Sequence, residues 1–270
     1  MNYLELLVKN VYGETREILI YRLAELGFES FSELEDGLLA YVPSGSEKNE
    51  ETSMLLNEYS LDFEWNLIPE QNWNETWEKN YPPVLTSNRC YVRSPFHEPL
   101  PEAEFDLVIE PKMSFGTAHH ETTSLMIELI MGIDFSETRV LDMGCGTGVL
   151  AILAAKMGAN EVIGVDIDEW SFLNAEENSL RNGEERIKIM MGGIEVINKM
   201  ECDILFANIN RNVLLDQIPV YGTILRKGIL LLSGFYESDL EVILACAASV
   251  GFNLDQTITK NQWMAVKLTK

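Results

Sequence analysis

The residues best placed to do chemistry lie in Val140-Leu141-Asp142-Met143-Gly144-Cys145-Gly146-Thr147-Gly148 and Val162-Ile163-Gly164-Val165-Asp166. An apolar strand runs into glycines at alternate positions, and an Ala-rich helix, Val149–Met157, opens behind them. A second apolar strand then ends on a carboxylate. Glycines at such a turn let backbone approach a ligand closely. The dinucleotide fingerprint is G-x-G-x-x-G. Here Gly148 arrives one residue early, and Asp142 stands two residues before Gly144. A pyrophosphate is received by glycines and a helix N-terminus. A carboxylate beside the loop favours a cation instead. The pattern D-x-G-x-G-x-G therefore points to S-adenosylmethionine, held by Asp142, Gly144, Gly146 and Gly148. Asp166 is placed to accept hydrogen bonds from both ribose hydroxyls.

Two further segments bear on the reaction. Phe115-Gly116-Thr117-Ala118-His119-His120-Glu121-Thr122-Thr123 is a polar loop entering a helix, where free N–H groups and hydroxyls can hold a carboxylate. Its paired histidines invite a metal reading, but the chain has only three histidines and scattered cysteines. No metal is expected, and His120 reads as a capping or orienting group. The segment Phe206-Ala207-Asn208-Ile209-Asn210-Arg211 ends the fourth expected parallel strand, where ligands of open α/β sheets bind. The Asn208 amide and nearby carbonyls can accept hydrogen bonds from an amine and aim its lone pair. A helix cap by Asn208 or Asn210 is the alternative. The chemistry expected is in-line displacement by a neutral amine. A lysine titrates at about 10.4 and an α-amine at about 7.7–8.0, so desolvation must favour the uncharged nucleophile. No dedicated base is evident, and water takes the proton.

The elements that position these groups follow from periodicity. A helix from Thr122 carries Leu125, Met126, Leu129 and Ile130. Strands follow at Arg139–Met143, Glu161–Asp166, Ile187–Met190, Asp203–Asn208 and Ile229–Ser233, separated by helical stretches. Continuous apolar strands alternating with helices build a parallel sheet covered on both faces. Phe252–Thr257 and Trp263–Leu268 form a closing hairpin. Residues 112–270 thus read as an α/β, Rossmann-like domain whose parallel sheet has an antiparallel last strand.

Upstream, Tyr3–Val8 reads as a strand and Glu14–Leu26 as a helix, with Ile18, Leu19, Leu23 and Leu26 on one face and Gly27 as its stop. Phe28–Glu33 and Leu38–Val42 pair across Asp36-Gly37, Glu47–Tyr59 is a second helix, and Leu61–Ile68 closes the unit. The order βαββαβ predicts a small ferredoxin-like α+β domain over residues 1–68. Residues 69–111 read as a linker. Its helix Gln71–Tyr81 carries Trp73, Trp77 and Tyr81 on one face and ends at Pro82-Pro83. That stripe either glues the helix to a domain or forms an aromatic wall near the target. Strand-like pieces follow at Cys90–Val92 and Phe105–Ile109, and the stretch from Pro82 to Pro111 is expected to act as a hinge.

Charge narrows the partners. With 20 basic and 43 acidic residues in 270, the net charge is −23. Such a surface repels nucleic acid and anionic membranes. Met1–Glu58 holds four basic and twelve acidic residues, which suits docking to a basic protein better than solubility alone. No apolar run reaches the roughly 18 residues of a membrane span, and the start lacks the pattern of a secretory signal. Four unpaired cysteines fit a reducing cytoplasm, and a monomer is expected. A base-amine methyltransferase acting on nucleic acid is the rival enzyme, disfavoured by charge. A dinucleotide oxidoreductase is disfavoured by the glycine spacing. A binding-only RNA module lacks basic-aromatic strands.

With these residues in view, the chain resembles the bacterial ribosomal protein L-eleven methyltransferases along essentially its full length. The resemblance rests on Trp73-x-x-x-Trp77-x-x-x-Tyr81-x-Pro83, on Phe115-Gly116-Thr117-x-x-His120-Glu121-Thr122-Thr123, on Asp142 to Gly148 with Asp166, and on Ala207-Asn208-Ile209. It implies an N-terminal substrate-recognition domain, a linker and a class I methyltransferase domain. It also implies methylation of lysine ε-amines and an N-terminal α-amine on one basic protein of the large ribosomal subunit, with S-adenosylhomocysteine as product. Thr123, Gly144, Asp166 and Asn208 are implied as cofactor contacts, and Phe115, Gly116, Thr117 and His120 are expected to bind the cofactor with them. Ala118 stands where the family has glycine.

Overall fold

The computed structural model describes residues 3–46, 48–68, 82–110, 112, 114–197 and 200–270. The chain divides into two compact units, Met1–Asn80 and Tyr81–Lys270. The expected helix Gln71–Tyr81, with Trp73 and Trp77, lies outside the described residues, as does Glu47.

The first unit runs β1 (Tyr3–Lys9), α1 (Gly13–Glu25), β2 (Ser30–Leu34), β3 (Gly37–Pro43), α2 (Asn49–Glu58) and β4 (Phe63–Ile68). Its antiparallel sheet has the order β2-β3-β1-β4. Alternation puts Leu6, Val8, Leu38, Ala40 and Val42 on one face, against Leu19 and Leu23 of α1 and Leu55 and Leu56 of α2. The hairpin turn falls one residue earlier than expected, at Glu35-Asp36, because Leu34 pairs with Gly37. Gly37 serves close approach instead: a Cβ there would stand 2.6 Å from the Val8 carbonyl oxygen.

The second unit opens with β5 (Val84–Thr86), β6 (Cys90–Arg93) and β7 (Phe105–Val108), a three-stranded sheet of order β5-β6-β7. These strands lie within the stretch from Pro82 to Pro111 that was expected to act as a hinge. Cys90, Val92, Leu107 and Ile109 are buried in one hydrophobic cluster with the helices that follow, which ties the segment to this unit's core. Next come α3 (Glu121–Ile130), β8 (Arg139–Met143), α4 (Val149–Lys156), β9 (Glu161–Asp166), α5 (Glu169–Arg181), β10 (Lys188–Met191), β11 (Ile204–Asn208), α6 (Arg211–Ile224), β12 (Ile229–Tyr236), α7 (Leu240–Ser249), β13 (Asn253–Lys260) and β14 (Trp263–Thr269).

These strands form one sheet of order β10-β9-β8-β11-β12-β14-β13. β10 to β12 are mutually parallel, and β14 runs antiparallel to both β12 and β13. The last strand therefore inserts beside β12, and β13 takes the edge. Adjacent residues of each central strand point to opposite faces. Val140, Phe206 and Leu231 pack with α3 and α4, while Leu141, Leu205 and Leu230 pack with α6 and α7. Burial on both faces is why these strands read as unbroken apolar runs. The strand order reverses at β8, so a crevice opens between the C-terminal ends of β8 and β11. Among the described residues, no helix is long and apolar enough to cross a membrane.

Candidate active site

A cavity of about 570 Å³ occupies that crevice. Its wall is built from strand ends: Met143 ending β8 and Gly144 just after it, Val165 and Asp166 on β9, Asn208 on β11, Gly234 on β12 and Trp263 opening β14. Phe115, His120, Gly146, Gly192, Gly193 and Ser171 are among the other residues that line it. Of the residues expected from sequence, the structure brings Phe115, His120, Gly144, Gly146, Asp166 and Asn208 onto one surface.

The glycine turn and the Phe115 loop are one construction. The Thr147 N–H donates to the Phe115 carbonyl at 2.9 Å, and the Thr147 hydroxyl donates to the Gly116 carbonyl at 2.5 Å. Gly146, at φ +54°, lies so close under this crossing that a Cβ would strike the Phe115 carbonyl. Gly116 thus acts through its carbonyl. Thr117, which pairs with His119 at 3.2 Å, is not on the cavity wall. Gly148 also stands behind the wall: it precedes α4 at φ +79°, and a Cβ would stand 3.2 Å from Ala175 on α5. It serves helix packing. Ala118 adopts φ +66°, the conformation that a glycine takes freely.

Asp166 is half-buried and already oriented. One carboxylate oxygen accepts the Gly146 N–H at 2.8 Å, and the other accepts the Asp168 N–H at 3.0 Å. Each oxygen keeps a further lone pair for a ligand hydroxyl. Asp142 is placed differently from its expected role as a counter-charge beside the loop. It is 1% exposed, beneath the turn and off the cavity wall. Burial pushes its carboxyl up to about 7, with the Asp166 charge adding to the rise and a hydrogen bond from the Ala151 backbone opposing it. Its Oδ2 has no partner among the described residues.

Asn208 ends β11 with its Nδ2 donating to the Thr123 hydroxyl at 3.4 Å. Thr123 is fully buried, so it touches the cavity only through this amide. The Asn208 Oδ1 is buried and unpartnered among the described residues. An unmet acceptor of this kind costs about 1–3 kcal/mol unless a ligand donor meets it. The helix-cap alternative belongs to Asn210, whose side chain accepts the Val213 N–H at 3.2 Å.

His120 caps α3, its Nδ1 accepting the Thr122 N–H at 3.3 Å. Its ring meets Phe115 edge-on at 5.1 Å and Trp263 at 4.8 Å, and Trp263 lies 4.1 Å from Tyr236. Gly192, Gly193 and Trp263 were not singled out from sequence. The glycine pair after β10 was a visible signal, whereas Trp263 arrives only because β14 runs antiparallel and pairs it with Tyr236.

Among the described residues, the wall holds one carboxylate, an unmet amide oxygen, glycines and aromatic rings, and no Lys or Arg. That set suits a cationic, phosphate-free ligand with a ribose and gives a pyrophosphate no counter-charge. It fits S-adenosylmethionine.

Comparisons with known proteins agree. A family model described as ribosomal protein L11 methyltransferase (PrmA) matches residues 29–270. The ribosomal protein L11 methyltransferase of Porphyromonas gingivalis is 42% identical over 263 residues, covering 94% of this chain and 90% of that protein. The Phocaeicola vulgatus protein of the same name is 38% identical, covering 99% of each. A crystal structure titled ribosomal protein L11 methylase, from Lactobacillus delbrueckii, superposes with a TM-score of 0.66 at 27% identity. It covers 70% of this chain and 99% of that one. This chain belongs to the ribosomal protein L11 methyltransferase family.

Proposed function

We propose that the protein transfers methyl groups from S-adenosylmethionine to lysine ε-amines and an N-terminal α-amine of ribosomal protein L11. The observation that carries this reading is the buried Asn208 Oδ1, unpartnered among the described residues, on a cavity wall whose described residues include no Lys or Arg. The donor supplies an electrophilic methyl on a sulfonium. Asp166, fixed by two backbone N–H groups, holds the ribose, with Gly144 and Gly146 giving close backbone approach. Phe115, Gly116, Thr117, His120 and Thr123 support that wall directly or from behind. Asn208 accepts a hydrogen bond from the incoming amine through Oδ1 and so aims the lone pair, a proximity effect. The apolar and aromatic lining excludes water and lowers the pKa of that amine, favouring its neutral form.

Residues 1–68, read as a ferredoxin-like domain by their βαββαβ order and β2-β3-β1-β4 sheet, are proposed to recognise the substrate. Residues 112–270 form the proposed class I methyltransferase domain. The strong acidity supports a basic protein partner rather than nucleic acid. A monomer acting in the cytoplasm completes the reading.

The experiment is labelled-methyl transfer to purified L11 alongside calorimetry with S-adenosylmethionine. Asn208→Ala should lower kcat roughly a hundredfold and leave donor Kd within about threefold. Equal losses in both would remove the positioning role, and transfer to ribosomal RNA instead would favour the nucleic-acid alternative.

A further inference from the structure

Helix α5 carries Asn174 and Asn178, and Asn182 caps its C-terminus, at four-residue spacing on one face. The reaction described above uses none of them. All three bind the backbone of the segment that leaves β7. The Asn182 Nδ2 donates to the Val108 carbonyl at 2.7 Å, and its Oδ1 accepts the Val108 N–H at 2.9 Å. The Asn178 Oδ1 accepts the Glu110 N–H at 2.9 Å, and the Asn174 Nδ2 donates to the Glu110 carbonyl at 3.4 Å. The amides replace a neighbouring strand. Ion pairs Arg181–Glu110 at 3.1 Å and Lys112–Glu177 at 2.5 Å continue the same track. The described residues of the segment thus lie along α5, whose first turn carries Ser171 on the cavity wall.

Asn178 does something its two neighbours do not. It is fully buried, and its Nδ2 donates to the Thr147 carbonyl, inside the glycine turn, at 3.0 Å. One amide thus joins the segment that leaves β7 to the turn that the Phe115 and Gly116 carbonyls already grip. Thr147 is held at its N–H, its hydroxyl and its carbonyl. The turn needs such holding. Gly144, Gly146 and Gly148 all adopt positive φ, and glycine backbone loses the most conformational freedom when fixed.

We infer that Asn178 is a positioning residue for methyl-donor binding: its side-chain amide pre-forms the glycine turn in its binding shape. The inference rests on the reading of the cavity as the donor site. Asn182 supplies the control, because it makes two bonds to the β7 segment, against one from Asn178, and none to the turn.

Donor Kd is measured by calorimetry for the wild type, Asn178→Ala and Asn182→Ala, with thermal melts and hydrogen exchange of the Cys145–Val149 amides on the same full-length proteins. Asn178→Ala should raise donor Kd about tenfold, the factor that one lost buried hydrogen bond commands. Its turn amides should exchange faster, and kcat at saturating donor should stay within about twofold. Asn182→Ala should lower Tm comparably and leave donor Kd within about twofold. Asn178→Ser replaces the alanine variant if that fails to fold, with the same expectations. Equal donor Kd in the two variants, or unchanged turn exchange in Asn178→Ala, overturns the inference. Failure of the wild type to bind donor overturns the donor-site reading beneath it.

Discussion

Asp142 sits where two demands on one carboxyl conflict. The sequence pattern places an acid before the glycines, and the fold then buries it under the turn with one oxygen unpartnered. Its unfolded pKa is about 3.9, against about 7 in the folded protein. The native state therefore holds the proton more tightly. This residue's contribution to stability is full below about pH 4, is lost as pH rises toward 7, and is flat above. Asp142→Asn, neutral at every pH, should remove that slope. Melts at pH 5 and pH 8 should show the variant gaining on the wild type by several degrees at the higher pH. Parallel melting curves for the two proteins would refute the assignment. Ala118 makes a second point at this scale. Its φ of +66° strains a non-glycine residue, yet its methyl is fully buried. Ala118→Gly should leave Tm nearly unchanged, since relief of about 1 kcal/mol offsets a buried methyl of similar worth.

At the scale of elements, the site depends on strand ends meeting in register. β12 carries a bulge between Ser233 and Phe235, with Gly234 at φ +94°. A Cβ on Gly234 would strike the Ile209 carbonyl, so the glycine lets the Asn208–Asn210 loop lie directly on β12. Gly234→Ala should displace that loop and lower kcat at least about tenfold. Gly251 offers a comparison: its φ is +91°, but an added Cβ meets only the flexible Lys270 side chain, at 3.2 Å. Gly251→Ala should strain the backbone without changing kcat. Equal kcat losses would mean that positive φ, and not contact with Ile209, is what matters.

For the whole molecule, charge sets the terms of encounter. A net charge of −23 steers a basic protein toward the surface, and the first 58 residues carry −8 of it. Raising ionic strength from about 0.05 to 0.5 M should raise KM for the protein substrate about tenfold, with kcat and donor Kd within about twofold. A KM indifferent to salt would remove electrostatic docking from the account. Much of this was legible beforehand. Period-two and unbroken apolar runs located the strands, because burial on one face or two leaves that trace in composition. The glycine turn, Asp166 and Asn208 could be read because local backbone geometry demands those residue types at strand ends. Chain folding alone decided the rest. It buried Asp142, turned Gly148 to helix packing, packed β5 to β7 into the second unit's core, and brought Trp263 beside His120 by inserting β14 next to β12. Those outcomes rest on pairings between residues far apart in the chain, and local periodicity carries no information about them.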